Sequence, residues 1–278
     1  SPPPGTAPAV VSPGLEDPAK LPPFGSAPTI PPRAAGAGAP QKNRHNHATK
    51  TWREAQMIDW DAIDTVLLDM DGTLLDLHFD NYFWMDHLPR LYAARHQISE
   101  EESSARLRDT FHSGEGTLKW YCLDHWSEQL GMDIPALKRE IQHMIRLRPF
   151  ALEFLAWLRS SHRDVVLVTN AHRKTYEIKM ATVAISNWFH RVVVSHDLLA
   201  PKEDQAFWHR LQALHPFDPA RTLLIDDTER VLDSARDYGI AHLLTLLQPD
   251  SQRQKRLQTR FPGIHHFDEI MPAPAAHD

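Results

Sequence analysis

Residues 64–73 read Asp-Thr-Val-Leu-Leu-Asp-Met-Asp-Gly-Thr. The run Thr65 to Leu68 is short, β-branched and leucine-rich, and it stops at two acids one residue apart. Such a run reads as a strand buried on both faces, and Gly72 just beyond it allows the chain to turn tightly. Four more runs share the pattern: VVLV at 165–168, VVV at 192–194, TLLI at 222–225 and HLLTL at 242–246. Helical periodicities separate them. Strands alternating with helices predict an α/β fold with a parallel sheet at its centre.

The spacing is uneven. About 95 residues separate the first run from the second, whereas the later runs lie about 20 to 30 apart. Something is inserted after the first strand, and residues 79–148 are helical in pattern throughout. Leu118, Tyr121, Cys122, Trp126 and Leu130 fall on one face of a single expected helix. Gly114 and Gly116 break the chain before it, and Gly131 with Pro135 punctuates the chain after it. The expected organisation is a core from 51–78 and 149–278 with a helical cap at 79–148. Residues 1–50 carry 12 of the 22 prolines and 5 of the 11 glycines. That stretch cannot bury enough apolar surface to offset its chain entropy, so it is expected to be a disordered extension.

Across 278 residues, 30 Lys plus Arg stand against 36 Asp plus Glu, a net charge of -6. That balance offers nucleic acid or anionic lipid no global attraction. The one cysteine, Cys122, excludes an internal disulfide framework and fits a reducing compartment. No stretch approaches the roughly 18 consecutive apolar residues of a membrane span, and no signal-peptide pattern opens the chain. The expectation is a cytoplasmic protein with no membrane, nucleic-acid or obligate protein partner. The 18 histidines are scattered and form no metal motif in sequence.

Polar residues stand just past the strands: Asp69 and Asp71 after the first, Thr169 and Asn170 after the second, Asp226 and Asp227 after the fourth. Lys202 follows the third after a loop. In a parallel sheet these positions share one edge, the carboxyl ends, where open α/β folds bind ligands. Each alone has a bland reading: Asp69 as a helix cap, Thr169 as a loop hydroxyl, Lys202 with Glu203 and Asp204 as a solvated face. Four carboxylates brought together repel one another unless a cation sits among them, and hard oxygen ligands in that number suit Mg²⁺. With a divalent cation and a lysine beside a carboxylate, phosphoryl transfer is the natural chemistry.

The set DMDGT, TN, PK and IDD, in this order, resembles the haloacid-dehalogenase superfamily. That resemblance implies a Rossmann-like parallel sheet with the Asp69 strand central and an inserted cap. It implies Asp69 as the nucleophile that becomes an aspartyl-phosphate and Asp71 as the general acid and base. Thr169, Asn170 and Lys202 would hold phosphate. Asp69, the main-chain carbonyl of Asp71 and Asp226 would hold Mg²⁺, with Asp227 acting directly or through water. A closer likeness runs over residues 59 to 245: DTVLLDMDGTLLDLHFDNYFW, LKWYCLDHWSEQLG, LVTNAH, PKEDQAFWH and TLLIDDTERVLDSA resemble the bacterial purine nucleotidases of that superfamily that act on GMP and IMP.

The expected substrate is therefore a phosphomonoester, and by this resemblance a purine nucleoside monophosphate. Phe83, Trp84, Trp120 and Tyr121, with Trp126, offer stacking surface in the inserted segment, and Asn81 and Lys119 offer donors for a 6-oxo group. Each aromatic is equally at home as core of the helical segment. A sugar-phosphate or phosphoglycolate phosphatase, or a phosphomutase, keeps the same core chemistry and stays open as an alternative. A dehalogenase needs neither Asp71 nor the pair Asp226–Asp227.

Overall fold

The computed structural model describes residues 58–112 and 114–272; the expectation for residues 1–50 lies outside them. All five apolar runs are strands: β1 (Thr65–Leu68), β2 (Asp164–Thr169), β3 (Arg191–Val194), β4 (Thr222–Ile225) and β5 (His242–Leu246). A two-residue β6 (Gly263–Ile264) completes a sheet of order β3-β2-β1-β4-β5-β6, every neighbouring pair parallel. The fold class is α/β with a Rossmann-like sheet, and β1 lies between β2 and β4. β6 has no apolar run to announce it.

Burial on both faces follows from strand geometry, because successive side chains point to opposite sides. Val66 and Leu68 enter one apolar cluster with Val165, Leu167, Leu223 and Ile225. Leu67 enters the other with Val166, Val168, Val193 and Leu224.

Between β1 and β2 the chain forms α1 (His78–Tyr82), a π-helical turn (Phe83–His87), α2 (Leu88–His96), α3 (Glu100–His112), α4 (Leu118–Tyr121), α5 (Leu123–Leu130), α6 (Ile134–Glu140) and α7 (Ala151–Ser160). Then come α8 (Arg173–Val183) after β2, α9 (Gln205–Leu214) after β3 and α10 (Glu229–Tyr238) after β4. Ala151, Phe154 and Leu155 of α7 with Ile178 of α8 pack into the first cluster. Phe207, Trp208 and Leu211 of α9 with Val231, Leu232 and Ala235 of α10 pack into the second. The ends are satisfied locally: Asp204 accepts from Ala206 N at 2.9 Å at the start of α9, and α10 stops at Gly239 with φ +111°.

One helix expected as continuous is two. Cys122 is extended (φ −83°, ψ 111°), ending α4 and opening α5, where its Sγ accepts from His125 N at 3.5 Å. The break is supported by Trp126, whose indole Nε1 donates to the carbonyl of Trp120 at 2.7 Å. A backbone acceptor at the end of α4 thus gains a buried partner from the next helix. No helix among the described residues is long and apolar enough to cross a membrane.

Candidate active site

Strand register assembles the site. Leu68 pairs with Ile225 across β1 and β4, so the next residues, Asp69 and Asp226, emerge side by side at the carboxyl edge. Main-chain bonds extend the pairing past the strands: Asp69 N donates to Ile225 O at 3.0 Å and Asp226 N to Leu244 O at 3.1 Å. The turn after β1 folds back through Leu74 N and Leu75 N onto the Met70 carbonyl at 3.0 and 2.8 Å. Its Gly72 has φ +84°, and a Cβ there would sit 2.7 Å from the Asp227 carboxyl group. Only glycine satisfies both the conformation and the close approach.

Lys202 lies at the centre. Its Nζ donates to Asp69 Oδ1 and Asp226 Oδ2, both at 2.6 Å, and to Val168 O at 3.2 Å. It is 2 % exposed. The bland reading of a solvated lysine face fails for Lys202, and it fails for Glu203 as well. The Glu203 carboxylate accepts from Tyr121 Oη at 2.7 Å and from Asn170 Nδ2 at 2.8 Å. Asn170 also accepts from Lys202 N through Oδ1 at 2.9 Å, so its amide organises the Lys202–Glu203 loop. Thr169 is buried, and its Oγ1 accepts from Ala171 N at 3.0 Å.

Burial pushes the Asp69 carboxyl up to about 6 against the pull of Lys202, with the charge of Asp226 adding to the rise. Asp226 is likewise pushed to about 6 by burial, and Asp227 to about 7 by burial and the charge of Asp69. Carboxylate oxygens of Asp69, Asp226 and Asp227 lie within 4.8 Å of one another. Asp69 Oδ2 is buried with no hydrogen-bond partner among the described residues. An unpartnered carboxylate oxygen among mutually repelling acids is what a hard divalent cation fits.

Asp71 occupies a second cluster that the sequence pattern does not announce. Its Oδ1 accepts from Lys179 Nζ at 2.5 Å, Lys179 also donates to Asp80 Oδ2 at 2.5 Å, and Asp80 Oδ1 accepts from Lys138 Nζ at 2.8 Å. Both lysines are 1 % exposed. Burial and the charges of Asp80 and Asp69 push Asp71 up to about 6 despite Lys179. Burial alone would raise Asp80, but the ammoniums of Lys138 and Lys179 hold it down at about 2.

A cavity of about 660 Å³ opens over the strand ends. Asp69, Asp71, Thr169, Asn170, Lys202, Asp226 and Asp227 line its floor, and Asn81, Trp84, Phe111, Trp120, Tyr121 and Trp126 line its upper wall. Two residues expected to meet a substrate do not line it. Phe83 is fully buried, its ring 4.6 Å beneath Lys138 Nζ. Lys119 is exposed on the outer side of α4. Asn81 lines the cavity, but its Nδ2 already donates to Asp250 Oδ2 at 2.7 Å.

The family model for haloacid dehalogenase-like hydrolases matches residues 63–239. The chain belongs to the haloacid dehalogenase-like hydrolase family. It is thus an enzyme, and the matched span includes Asp69, Asp71, Thr169, Asn170, Lys202, Asp226 and Asp227 at the floor of the cavity. The chain is similar to the GMP/IMP nucleotidase YrfG of Escherichia coli (strain K12), 38% identical over 216 residues that cover 78% of this chain and 97% of that protein. The structure of a HAD phosphatase from Thermococcus onnurineus superposes with a TM-score of 0.58 at 18% identity, covering 72% of this chain and 93% of that one. The putative HAD-hydrolase YfnB from Bacillus subtilis, a structure bound to magnesium, gives 0.54 at 18% identity, covering 74% and 96%. At such identity these two speak for the fold.

Proposed function

We propose that this hydrolase is a Mg²⁺-dependent phosphomonoesterase that works through an aspartyl-phosphate and prefers the purine nucleotides GMP and IMP. The observation that carries the reading is one cavity in which a floor of acids around Lys202 continues into a wall of Trp84, Phe111, Trp120, Tyr121 and Trp126. Floor and wall together suit a phosphate joined to a flat, stacking group. The similarity to a GMP/IMP nucleotidase over nearly its whole length supports it.

In this mechanism an Asp69 oxygen attacks phosphorus, forming the aspartyl–phosphate bond as the bond to the leaving 5′-oxygen breaks. Asp71 gives that oxygen its proton, then takes one from the water that hydrolyses the intermediate and releases phosphate. A carboxyl pushed to about 6 can hold a proton and also give it up near neutral pH. Lys202, Thr169 and the main chain after Gly72 hold the non-transferring oxygens. Bound Mg²⁺, held by Asp69, the Asp71 carbonyl and Asp226 with Asp227 close by, would offset the charge of the phosphate dianion. Segment 79–148 acts as the cap, closing over the leaving group and excluding water.

The raised carboxyls make a pH prediction. Their folded pKa values of about 6 to 7 lie above the ordinary value of 3.8. They therefore favour the folded state most below that value, and the contribution is lost as pH climbs through 6 to 7. Metal-free protein is expected to lose melting temperature between about pH 4 and pH 7. Added Mg²⁺ should restore it more at pH 7 than at pH 5, because protons and metal compete for the same oxygens. Thermal melts at both pH values with EDTA or Mg²⁺ check this; an equal Mg²⁺ effect at the two would remove the cation from the acid cluster.

Specificity is tested by kcat/KM across GMP, IMP, AMP, CMP, phosphoglycolate and glucose 6-phosphate. Ser104, Arg108 and His112 line the cavity from one face of α3, so donors stand beside the aromatic wall for a 6-oxo group. A 6-amino group meets those donors with a donor. The mismatch costs about 1 to 3 kcal/mol, so GMP and IMP should exceed AMP by roughly 5- to 150-fold. CMP should fall further through lost stacking area. A preference for phosphoglycolate or glucose 6-phosphate would keep the phosphatase chemistry and discard the nucleotidase reading.

A further inference from the structure

A second cluster of ligating side chains lies beside the cavity, apart from the residues assigned to the phosphoryl chemistry. Cys122 sits at the break between α4 and α5, His172 opens α8 just past β2, and His196 lies in the turn after β3. One ligand atom from each, the Cys122 Sγ and a ring nitrogen of each histidine, lies within 4.8 Å of the others. All three residues are half-buried. The two imidazoles meet edge to face, centroids 4.9 Å apart.

The hydrogen bonds leave this cluster ready to ligate. His196 Nε2 lies 3.0 Å from the carbonyl of Leu118. A carbonyl only accepts, so that nitrogen carries the ring hydrogen and Nδ1 carries the lone pair. His196 Nδ1 is buried and has no hydrogen-bond partner among the described residues. A histidine whose other nitrogen donates to a backbone carbonyl is the usual arrangement of a metal-bound imidazole. The polar contacts of the His172 ring among the described residues are loose: Nδ1 is 3.4 Å from Lys174 N, and Nε2 is 3.9 Å from Asp124 Oδ2. Cys122 Sγ accepts one weak bond at 3.5 Å. Burial pushes both imidazoles below the usual histidine range, which keeps them neutral at physiological pH.

We propose that Cys122, His172 and His196 form a site for a zinc-class divalent metal ion, distinct from the acid cluster and bridging the helical segment after β1 to the loops after β2 and β3. One thiolate and two imidazoles suit a borderline-soft ion and do not suit Mg²⁺. Tetrahedral bonds to zinc place sulfur and nitrogen ligands about 3.4 to 3.6 Å apart, so side-chain rotations of about 1 Å close the set. Asp124 stands beside His172 to take the fourth position or to orient the ring. An ion held here fixes the wall of the cavity, because Tyr121 precedes Cys122 and His172 is itself a lining residue.

Cobalt(II) tests this directly, because the chain has a single cysteine and any cysteinate-to-cobalt charge-transfer absorption must come from Cys122. Co²⁺ is titrated into the full chain in excess Mg²⁺, with Asp226→Asn alongside to weaken the acid cluster. The expected result is charge-transfer absorption that saturates at one Co²⁺ per chain in both proteins and is displaced by Zn²⁺. Cys122→Ser should abolish it, and His172→Ala and His196→Ala should each weaken Zn²⁺ binding at least about tenfold. Absence of the thiolate absorption in the parent overturns the site, as does an unchanged Zn²⁺ affinity in either histidine variant.

Discussion

Asp69→Asn is expected to keep the fold and lose at least about 10³-fold in kcat, because an amide oxygen is far too weak a nucleophile to attack a phosphorus atom at a useful rate. The fold should survive because the change removes a charge from a site where charges repel. Burial and the neighbouring Asp226 already push the Asp69 carboxyl up to about 6. Lys202 keeps Asp226 as its counter-ion at 2.6 Å, so its ammonium is not left bare. Phosphate release measured with melting temperature separates the two effects. Acid-quenched protein from a turnover reaction should carry covalent phosphate in the parent and none in the variant. Activity within tenfold of the parent, with mass spectrometry excluding deamidation back to Asp, would falsify the covalent route.

The sheet and the acid edge were legible because they depend on local patterns that the chain repeats. Each apolar run is short, buried on both faces and followed at once by polar residues, and the register of β1 on β4 converts adjacency in sequence into adjacency of Asp69 and Asp226. Lys202 was legible as a member of that edge, but its two ion pairs were not. The helical segment was harder. Its aromatic residues share a helix period whether they face the core or the cavity, so Phe83 and Trp84, neighbours in sequence, end on opposite sides of that division. Cys122 fits the apolar stripe of one long helix, and the break there is held by contacts that the stripe does not announce, the Cys122 cap on His125 N and the bond from Trp126 to the Trp120 carbonyl. The Cys122, His172 and His196 cluster was invisible for a related reason. Its members come from three segments joined by topology, with no ligand spacing along the chain.

Lys138, Lys179 and Asp80 were illegible because lysine and aspartate in a helical pattern ordinarily mark a solvated face, and here tertiary packing buries both lysines and half-buries the Asp80 carboxylate between them. Asp80 is the hinge of that arrangement, accepting from both ammoniums while Asp71 accepts from Lys179 alone. Asp80→Ala therefore removes the carboxylate that both lysines share and leaves two buried ammoniums with only Asp71 between them. Breaking a buried pair from one side costs about 3 to 5 kcal/mol, far more than the pair's net contribution, because the abandoned charge stays desolvated. For a folded body of this size, about 2 to 4 °C per kcal/mol turns that into a fall of roughly 6 to 20 °C in melting temperature. The aromatic faces of Phe79, Phe83 and Trp84, all within 5.3 Å of Lys138 Nζ, soften the loss without replacing a carboxylate. Lys138→Met in the Asp80→Ala background should recover a good part of it, since the methionine fills the space among those rings with no charge to solvate. Thermal melts of the parent and the single and double variants decide the matter. A fall of less than about 2 °C in Asp80→Ala, or a double variant less stable than the single, would mean that the two lysines reach water and that the network contributes no more than an exposed ion pair.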